Sequence, residues 1–198
     1  MRPMRSVVAI SALSLAGFTA VVLSGIHDGR AHAQAAAAPA APAGGARAGL
    51  VVPIKTATGT DAGTATFRES RSGANLNIVV ALKGLPPGDH AVHIHVNPVC
   101  EAPFTTAGGH LNPDSKQHGM ENPMGHHAGD LPQNITIAAD GTGTATYRVD
   151  YLTLTPGAPN SVLGHSIMVH EKADDMKTDP TGNAGSRIAC GVIPATAQ

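Results

Sequence analysis

The chain has 198 residues, with 13 basic and 14 acidic side chains, 23 Gly, 15 Pro, three Phe, two Tyr and no Trp. That length carries one domain with a real core. Abundant Gly and Pro with few aromatics disfavour a helical bundle, and near-neutral charge without a basic run speaks against a nucleic-acid partner.

The first 33 residues read as an export segment. MRPMR is a basic start, SVVAISALSLAGFTAVVLSGI is an uncharged apolar run, and Ala31-His32-Ala33 fits an A-x-A cleavage site. The run is also long enough to be kept as a membrane anchor; cleavage is the favoured of the two readings. Cleavage after Ala33 leaves 10 basic and 13 acidic residues, net −3. Residues 34–49, QAAAAPAAPAGGARAG, lack apolar periodicity and carry repeated Pro, so they read as a disordered linker. The folded domain is expected over residues 50–198.

From there the pattern is all-β. LVVPIKTAT, GTATFRES, ANLNIVVAL and HAVHIHV are short, rich in Val, Ile and Thr, and bounded by turn residues; NITIAA, GTATYRVDYLTL, GHSIMVHE and RIACGVI follow after a long irregular stretch. Asp140-Gly141 is a hairpin signal. Eight strands with mostly short connections predict a closed or nearly closed antiparallel barrel or sandwich. The repeated GTAT at 63 and 143 reads as two edge strands with similar needs rather than a duplication.

Two segments, 97–132 and 172–186, show no strand pattern, and loops of that length are usually functional or disordered. Eleven histidines are the compositional outlier, and nine lie between His90 and His170. On a strand, residues two apart share a face. Val92, Ile94 and Val96 would fill the barrel while His93 and His95 leave its wall side by side. A solvent face that happens to carry two histidines is the plain alternative to a metal site. His170 ends another strand and offers a third imidazole. The first long loop adds His110, His118, His126, His127 and Asp130. Three imidazoles with one carboxylate, His110, His118, His127 and Asp130, suit zinc; imidazole-rich sites without carboxylate suit copper. Loop histidines can instead cap turns, but that reading must then explain seven ligand-type residues at once.

GDHAVHIH, GGHLNPDSKQHG, HHAGDL, VHEKADD and GNAGSRIACGVI, in this order, resemble copper/zinc superoxide dismutase of the bacterial exported type. The likeness spans roughly residues 50–193. It implies an eight-stranded antiparallel Greek-key β-barrel or sandwich, immunoglobulin-like in architecture, with two long functional loops. It also implies one copper and one zinc per subunit. His93, His95, His110 and His170 resemble the copper ligands; His110, His118, His127 and Asp130 resemble the zinc ligands, with His110 bridging. Asp174 matches the carboxylate that links one ligand of each metal, expected here to be His93 and His118. Arg187 matches the arginine beside the open copper position, His90 a structural histidine behind it, and Cys100 and Cys190 the pair whose disulfide ties the metal loop to the last strand. His126 matches no ligand.

The chemistry so implied is dismutation of superoxide to dioxygen and hydrogen peroxide by a redox-cycling copper. Zinc would hold the loop, and His110 would serve as both bridge and proton carrier. The expected place is outside the cytoplasm, in the periplasm, with membrane contact only if the N-terminal segment is kept as an anchor; a homodimer is compatible with the resemblance. There are departures. MKTDPT is shorter than in the familiar eukaryotic members, and Pro180 stands where those often carry a steering lysine, with Lys177 the alternative. HGMENPMGHH places Met120 and Met124 near histidines, read as loop filler ahead of a copper-acquisition patch. A copper-delivery protein on the same fold and a non-catalytic β-sandwich module are the competing readings; Arg187, the four copper-type histidines and the bridge weigh against the first, and the seven-ligand set against the second.

Overall fold

A computed structural model describes residues 49–197. The expected export segment lies outside the described residues, as does the expected linker except for Gly49. Among the described residues there are nine strands and a single 3-10 turn at Thr105–Ala107.

The strands are β1 Leu50–Thr56, β2 Asp61–Glu69, β3 Leu76–Leu82, β4 Gly88–His90, β5 Val92–His95, β6 Ile135–Ile137, β7 Gly143–Val149, β8 Ser166–His170 and β9 Arg187–Val192. Seven form one sheet in the order β5-β8-β9-β1-β2-β3-β7, and β4 pairs with β6. Every strand pairing is antiparallel. The curled sheets make the all-β Greek-key barrel that the strand pattern and the resemblance imply.

Nine strands appear where eight are expected because HAVHIHV is divided. Ala91 is withdrawn from both ladders. Its N–H donates to Lys172 O at 2.8 Å, and its carbonyl accepts from His170 N at 2.9 Å. On the near side β4 pairs β6, and on the far side β5 pairs β8.

The core follows the two-residue alternation of the strands. Val52 and Ile54 of β1, Ala65 and Phe67 of β2, Ile78 and Val80 of β3, and Ala145 and Tyr147 of β7 are all buried. The repeated GTAT segments now have a reason. β2 and β7 flank β3 in the same register, with Gly63 and Gly143 both opposite Leu82, and Phe67 and Tyr147 both opposite Ile78. Both repeats therefore present small Ala and then a ring to the same core layer. The expectation of two edge strands is half right: β7 ends the sheet, but β2 lies inside it between β1 and β3.

Cys190 of β9 is bonded to Cys100, 90 residues away in sequence, with Cα atoms 5.6 Å apart. Phe104, Ala107 and Met168 pack around this link as a small second core. The long segment after β5 is thus tied to the barrel wall at its start.

Candidate metal centre

The free edge of β5 is where the histidine-rich loop docks. Ile94 N donates to Gly129 O at 2.9 Å, Leu111 N to Ile94 O at 2.8 Å, and Val96 N to Gly109 O at 3.0 Å. These bonds make His93 and Asp130 bridge partners, and likewise His95 and His110. Directly paired residues on adjacent antiparallel segments project to one face, so the loop delivers Asp130 beside His93 and His110 beside His95. Gly129 is required here. A Cβ at that position would collide with the Ile94 carbonyl and lie 2.8 Å from Leu111 N.

Val92 and Ile94 do enter the barrel core, whereas Val96, beyond the strand end, is exposed. His93 and His95 leave the barrel wall on the opposite face but do not meet solvent; they are 1% and 0% exposed under the loop.

His93, His95, His110 and His170 bring one ring nitrogen each within 4.8 Å of the others, all buried. The other nitrogen is anchored for three of them. His93 Nε2 donates to Asp174 Oδ2 at 2.8 Å, His95 Nδ1 to Gly108 O at 2.9 Å, and His110 Nδ1 lies 2.8 Å from Asp130 Oδ1. The inward atoms are the telling ones. His93 Nδ1 and His110 Nε2 are buried without any hydrogen-bond partner, and His95 Nε2 stands 3.3 Å from His170 Nε2. An unsatisfied buried polar atom costs about 1–3 kcal/mol. Four converging nitrogen lone pairs suit a cation that favours imidazole.

The second set forms around one oxygen. Asp130 Oδ1 is 2.8, 3.0 and 3.3 Å from the Nδ1 atoms of His110, His118 and His127, and His127 Nδ1 is 3.4 Å from His110 Nδ1. A tetrahedral zinc with bonds of about 2.0–2.1 Å has ligand-to-ligand edges of about 3.3 Å, so these residues fit that ion. Asp130 Oδ2 is kept away from the centre by the backbone N–H groups of Gly119 and His127, at 2.9 and 3.0 Å.

Asp174 joins the two sets. Its Oδ2 holds His93, and its Oδ1 accepts from His118 Nε2 at 2.9 Å. Arg187 pairs across the sheet with His170 and donates to Phe104 O at 2.5 Å and Gly108 O at 2.6 Å. His90 sits behind His170, with Nδ1 2.7 Å from the His170 carbonyl and Nε2 2.9 Å from that of Pro86. His126 turns away. Its Nδ1 meets His127 O at 2.7 Å, and its ring packs edge-on against Tyr151. Met120 Sδ lies 3.9 Å from the Tyr151 hydroxyl, and Met124 is exposed.

The electrostatics divide the histidines. Burial pushes His95 and His170 down to about 2, reinforced by the neighbouring imidazoles, and pushes His110 down to about 4 despite Asp130. Burial also acts against a charge on His118, but the bonds from Asp130 and Asp174 outweigh it and raise that group to about 9. Burial would raise both carboxyls. Bonds from His110, His118 and His127 instead hold Asp130 far below the usual range, and His118 and His93 do the same for Asp174.

Three supporting residues carry no mark in the sequence. Asn134 clamps the Asp174 backbone from both sides, accepting from its N–H at 2.8 Å and donating to its carbonyl at 3.0 Å. Tyr151 donates to Asp130 O at 2.8 Å. Asp179 accepts from His118 N at 2.6 Å. Each acts on a main-chain atom, which no pattern of residue types reveals.

Comparison with known proteins agrees with this geometry. Residues 61–193 match the sequence model of the family described as copper/zinc superoxide dismutase (SODC). The chain is 41% identical over 151 residues to the Cu-Zn superoxide dismutase of Deinococcus radiodurans, covering 70% of this chain and 80% of that protein. It is 42% identical over 146 residues to the enzyme of Caulobacter vibrioides, covering 71% and 82%. Among solved structures, a SOD-like protein from Bacillus subtilis superposes with a TM-score of 0.68 at 37% identity, over 74% of this chain and 99% of that one.

Proposed function

The chain belongs to the copper/zinc superoxide dismutase family, and on that premise we propose that His93, His95, His110 and His170 hold its copper and that His110, His118, His127 and Asp130 hold its zinc. The activity is dismutation of superoxide: two superoxide anions and two protons give one dioxygen and one hydrogen peroxide. Copper supplies the one-electron chemistry when bound, while zinc, without redox chemistry, orders the loop.

One observation carries the ligand assignment. His110 belongs to both sets, with Nδ1 beside Asp130 Oδ1 and Nε2 buried and unpartnered among His93, His95 and His170. A single imidazole can thus serve two cations, and Nε2 is the atom at which it can take and return a proton. Asp174 fixes the rings of His93 and His118, so one carboxylate sets the aim of a ligand in each set. Arg187 adds a fixed positive charge at the edge of the copper set, where it can hydrogen-bond a small anion. Steering of substrate by such charges is a known device of this family.

The test is metal content and superoxide consumption of the purified domain, with a chelator control. We expect one copper and one zinc per chain, and a His110→Ala variant that loses zinc affinity and activity together. Unchanged metal content and activity in that variant would remove the bridge.

The Cys100–Cys190 disulfide belongs to oxidising compartments. With the basic, apolar and A-x-A order of residues 1–33, it supports export to the periplasm. An N-terminus mapped at Gln34 on the mature protein is the expected result; retention of the apolar run would favour an anchored form.

A further inference from the structure

Of the three histidines gathered around Asp130 Oδ1, two have the far side of the ring accounted for. His118 Nε2 donates to Asp174, and His110 Nε2 faces the copper-type set. The third, His127, has its Nε2 3.8 Å from Asp179 Oδ1. That same oxygen accepts the backbone N–H of His118 at 2.6 Å. One half-exposed carboxylate on the loop after β8 therefore accepts a hydrogen bond from the backbone of one non-bridging histidine of the zinc set and stands at ion-pair distance, longer than a hydrogen bond, from the ring of the other.

The loop is built to keep it there. Asp175 accepts from Lys177 N at 3.1 Å and Thr178 N at 2.8 Å with Oδ1, and from the Thr178 hydroxyl at 2.6 Å and Asn183 Nδ2 at 2.8 Å with Oδ2. Gly182 N donates to Thr178 O at 2.7 Å, and Asp175 N to Gly182 O at 2.9 Å. Residues 175–183 are thus a closed ring with Asp179 on its rim. Glu121 N donates to Met176 O at 2.9 Å and fastens the ring to the histidine loop.

We propose that Asp179 is a second positioning carboxylate for zinc, which holds His118 through its backbone N–H and faces the His127 ring with its charge, a longer-range counterpart of the bond from Asp174 to the His118 ring. The proposal rests on the zinc ligands assigned above. A carboxylate opposite a ligating nitrogen fixes the tautomer and raises the basicity of the imidazole, and loss of such a partner costs about 10–100-fold in metal affinity. The rival role is mechanical: Asp179 would only splint the two loops through the His118 N–H.

Two substitutions separate these roles. Asp179→Asn keeps an acceptor for the His118 N–H but removes the charge facing His127, whereas Asp179→Ala removes both. Zinc release from the metal-loaded full chain to a chromogenic chelator, the visible spectrum with cobalt(II) in the zinc position, and the denaturation midpoint of the metal-free protein are read for each. We expect release about 10–100-fold faster for Asp179→Ala, faster than the unaltered protein also for Asp179→Asn, a shifted cobalt spectrum in both, and an unchanged metal-free midpoint for Asp179→Asn. An Asp179→Asn variant with unaltered zinc release and cobalt spectrum overturns the proposal, as does faster release matched by an equally weakened metal-free chain. If the unaltered protein takes up no zinc, the ligand assignment itself fails; if it does and both variants hold zinc equally, only the role of Asp179 fails.

Discussion

Arg187 and His95 donate to the same acceptor: the carbonyl of Gly108 takes Arg187 Nη2 at 2.6 Å and His95 Nδ1 at 2.9 Å. The guanidinium is thereby linked to a copper-type histidine by two hydrogen bonds through one shared oxygen, which fixes the place of its charge. Arg187→Lys should keep much of the activity. Arg187→Ala should lower kcat/KM by about ten- to a hundredfold, and Arg187→Glu most, all with both metals bound. The unaltered rate should also fall with added salt, because screening shortens the field to about 8 Å near physiological ionic strength. Stopped-flow decay of superoxide measures both; full activity in Arg187→Glu would deny the arginine any part in guiding substrate.

Metal uptake should release protons unequally. His118 is raised to about 9 between Asp130 and Asp174, so it is charged at pH 7 before metal arrives. His95 and His170, at about 2, and His110, at about 4, are neutral there. Zinc held as proposed would displace the His118 proton, whereas His95, His110 and His170 have none to give up to copper. Titration calorimetry in buffers of different protonation enthalpy should show about one more proton released per zinc than per copper. Equal release for the two metals would contradict the division.

The metal-free protein should be most stable near pH 6.5–7. His95, His110 and His170 have folded values below the unfolded value of about 6.5, so the unfolded chain binds protons that the folded one excludes. Their contribution is present above about pH 6.5 and is lost on acidification, at up to about 1.4 kcal/mol per pH unit for each ring. His118 has the opposite sign. Its contribution is complete below about pH 6.5 and is lost as pH rises through about 9. The lowered Asp130 and Asp174 add a further loss below about pH 4. Urea midpoints measured across this range would test the profile; a flat curve would contradict it.

Replacing Cys100 and Cys190 by Ser should cost about 4–5 kcal/mol by the loop-closure argument, since the bond spans 90 residues. It should also lower activity in the metal-loaded protein. Phe104, four residues beyond Cys100, supplies one of the two carbonyls that hold Arg187. Denaturant melts and activity of the double variant, measured together, give both numbers.

Tyr147→Phe should leave stability unchanged or raise it by up to about 1 kcal/mol. The phenol is 1% exposed and its hydroxyl is buried without a partner, so removal relieves a desolvated group at little loss of packing. Phe67, at the matching place in the other GTAT strand, already shows that the layer accepts a plain ring. A thermal melt decides it; a loss above about 1 kcal/mol would reveal a bond that the hydroxyl makes.

Much of this was legible in the chain. Two-residue alternation of Val, Ile and Thr marked the strands because half-buried sheet imposes that period, and the histidines stood out by type and crowding. What could not be read was set by contacts between distant segments. The division of HAVHIHV at Ala91 depends on Lys172 and His170, and the partner of His93 was chosen by how residues 109–130 dock on β5. The inner position of β2 is a property of sheet order, which similar GTAT strings do not encode. Asn134 and Asp179 carry no signal in the residue pattern, because the hydrogen bonds they make to this site are to the backbone of Asp174 and His118.

The docking of the histidine loop on β5 also settles the fate of an exposed edge. β5 is the last strand on its side of the sheet, and among the described residues the outer N–H and C=O of Ile94 meet Gly129 and Leu111, while Val96 N, just past the strand, meets Gly109. An uncovered edge of this kind is a template for pairing with another chain. The residues that cover it are interleaved with His110, His127 and Asp130, so a cation held by those side chains would also guard the molecule against edge-to-edge aggregation.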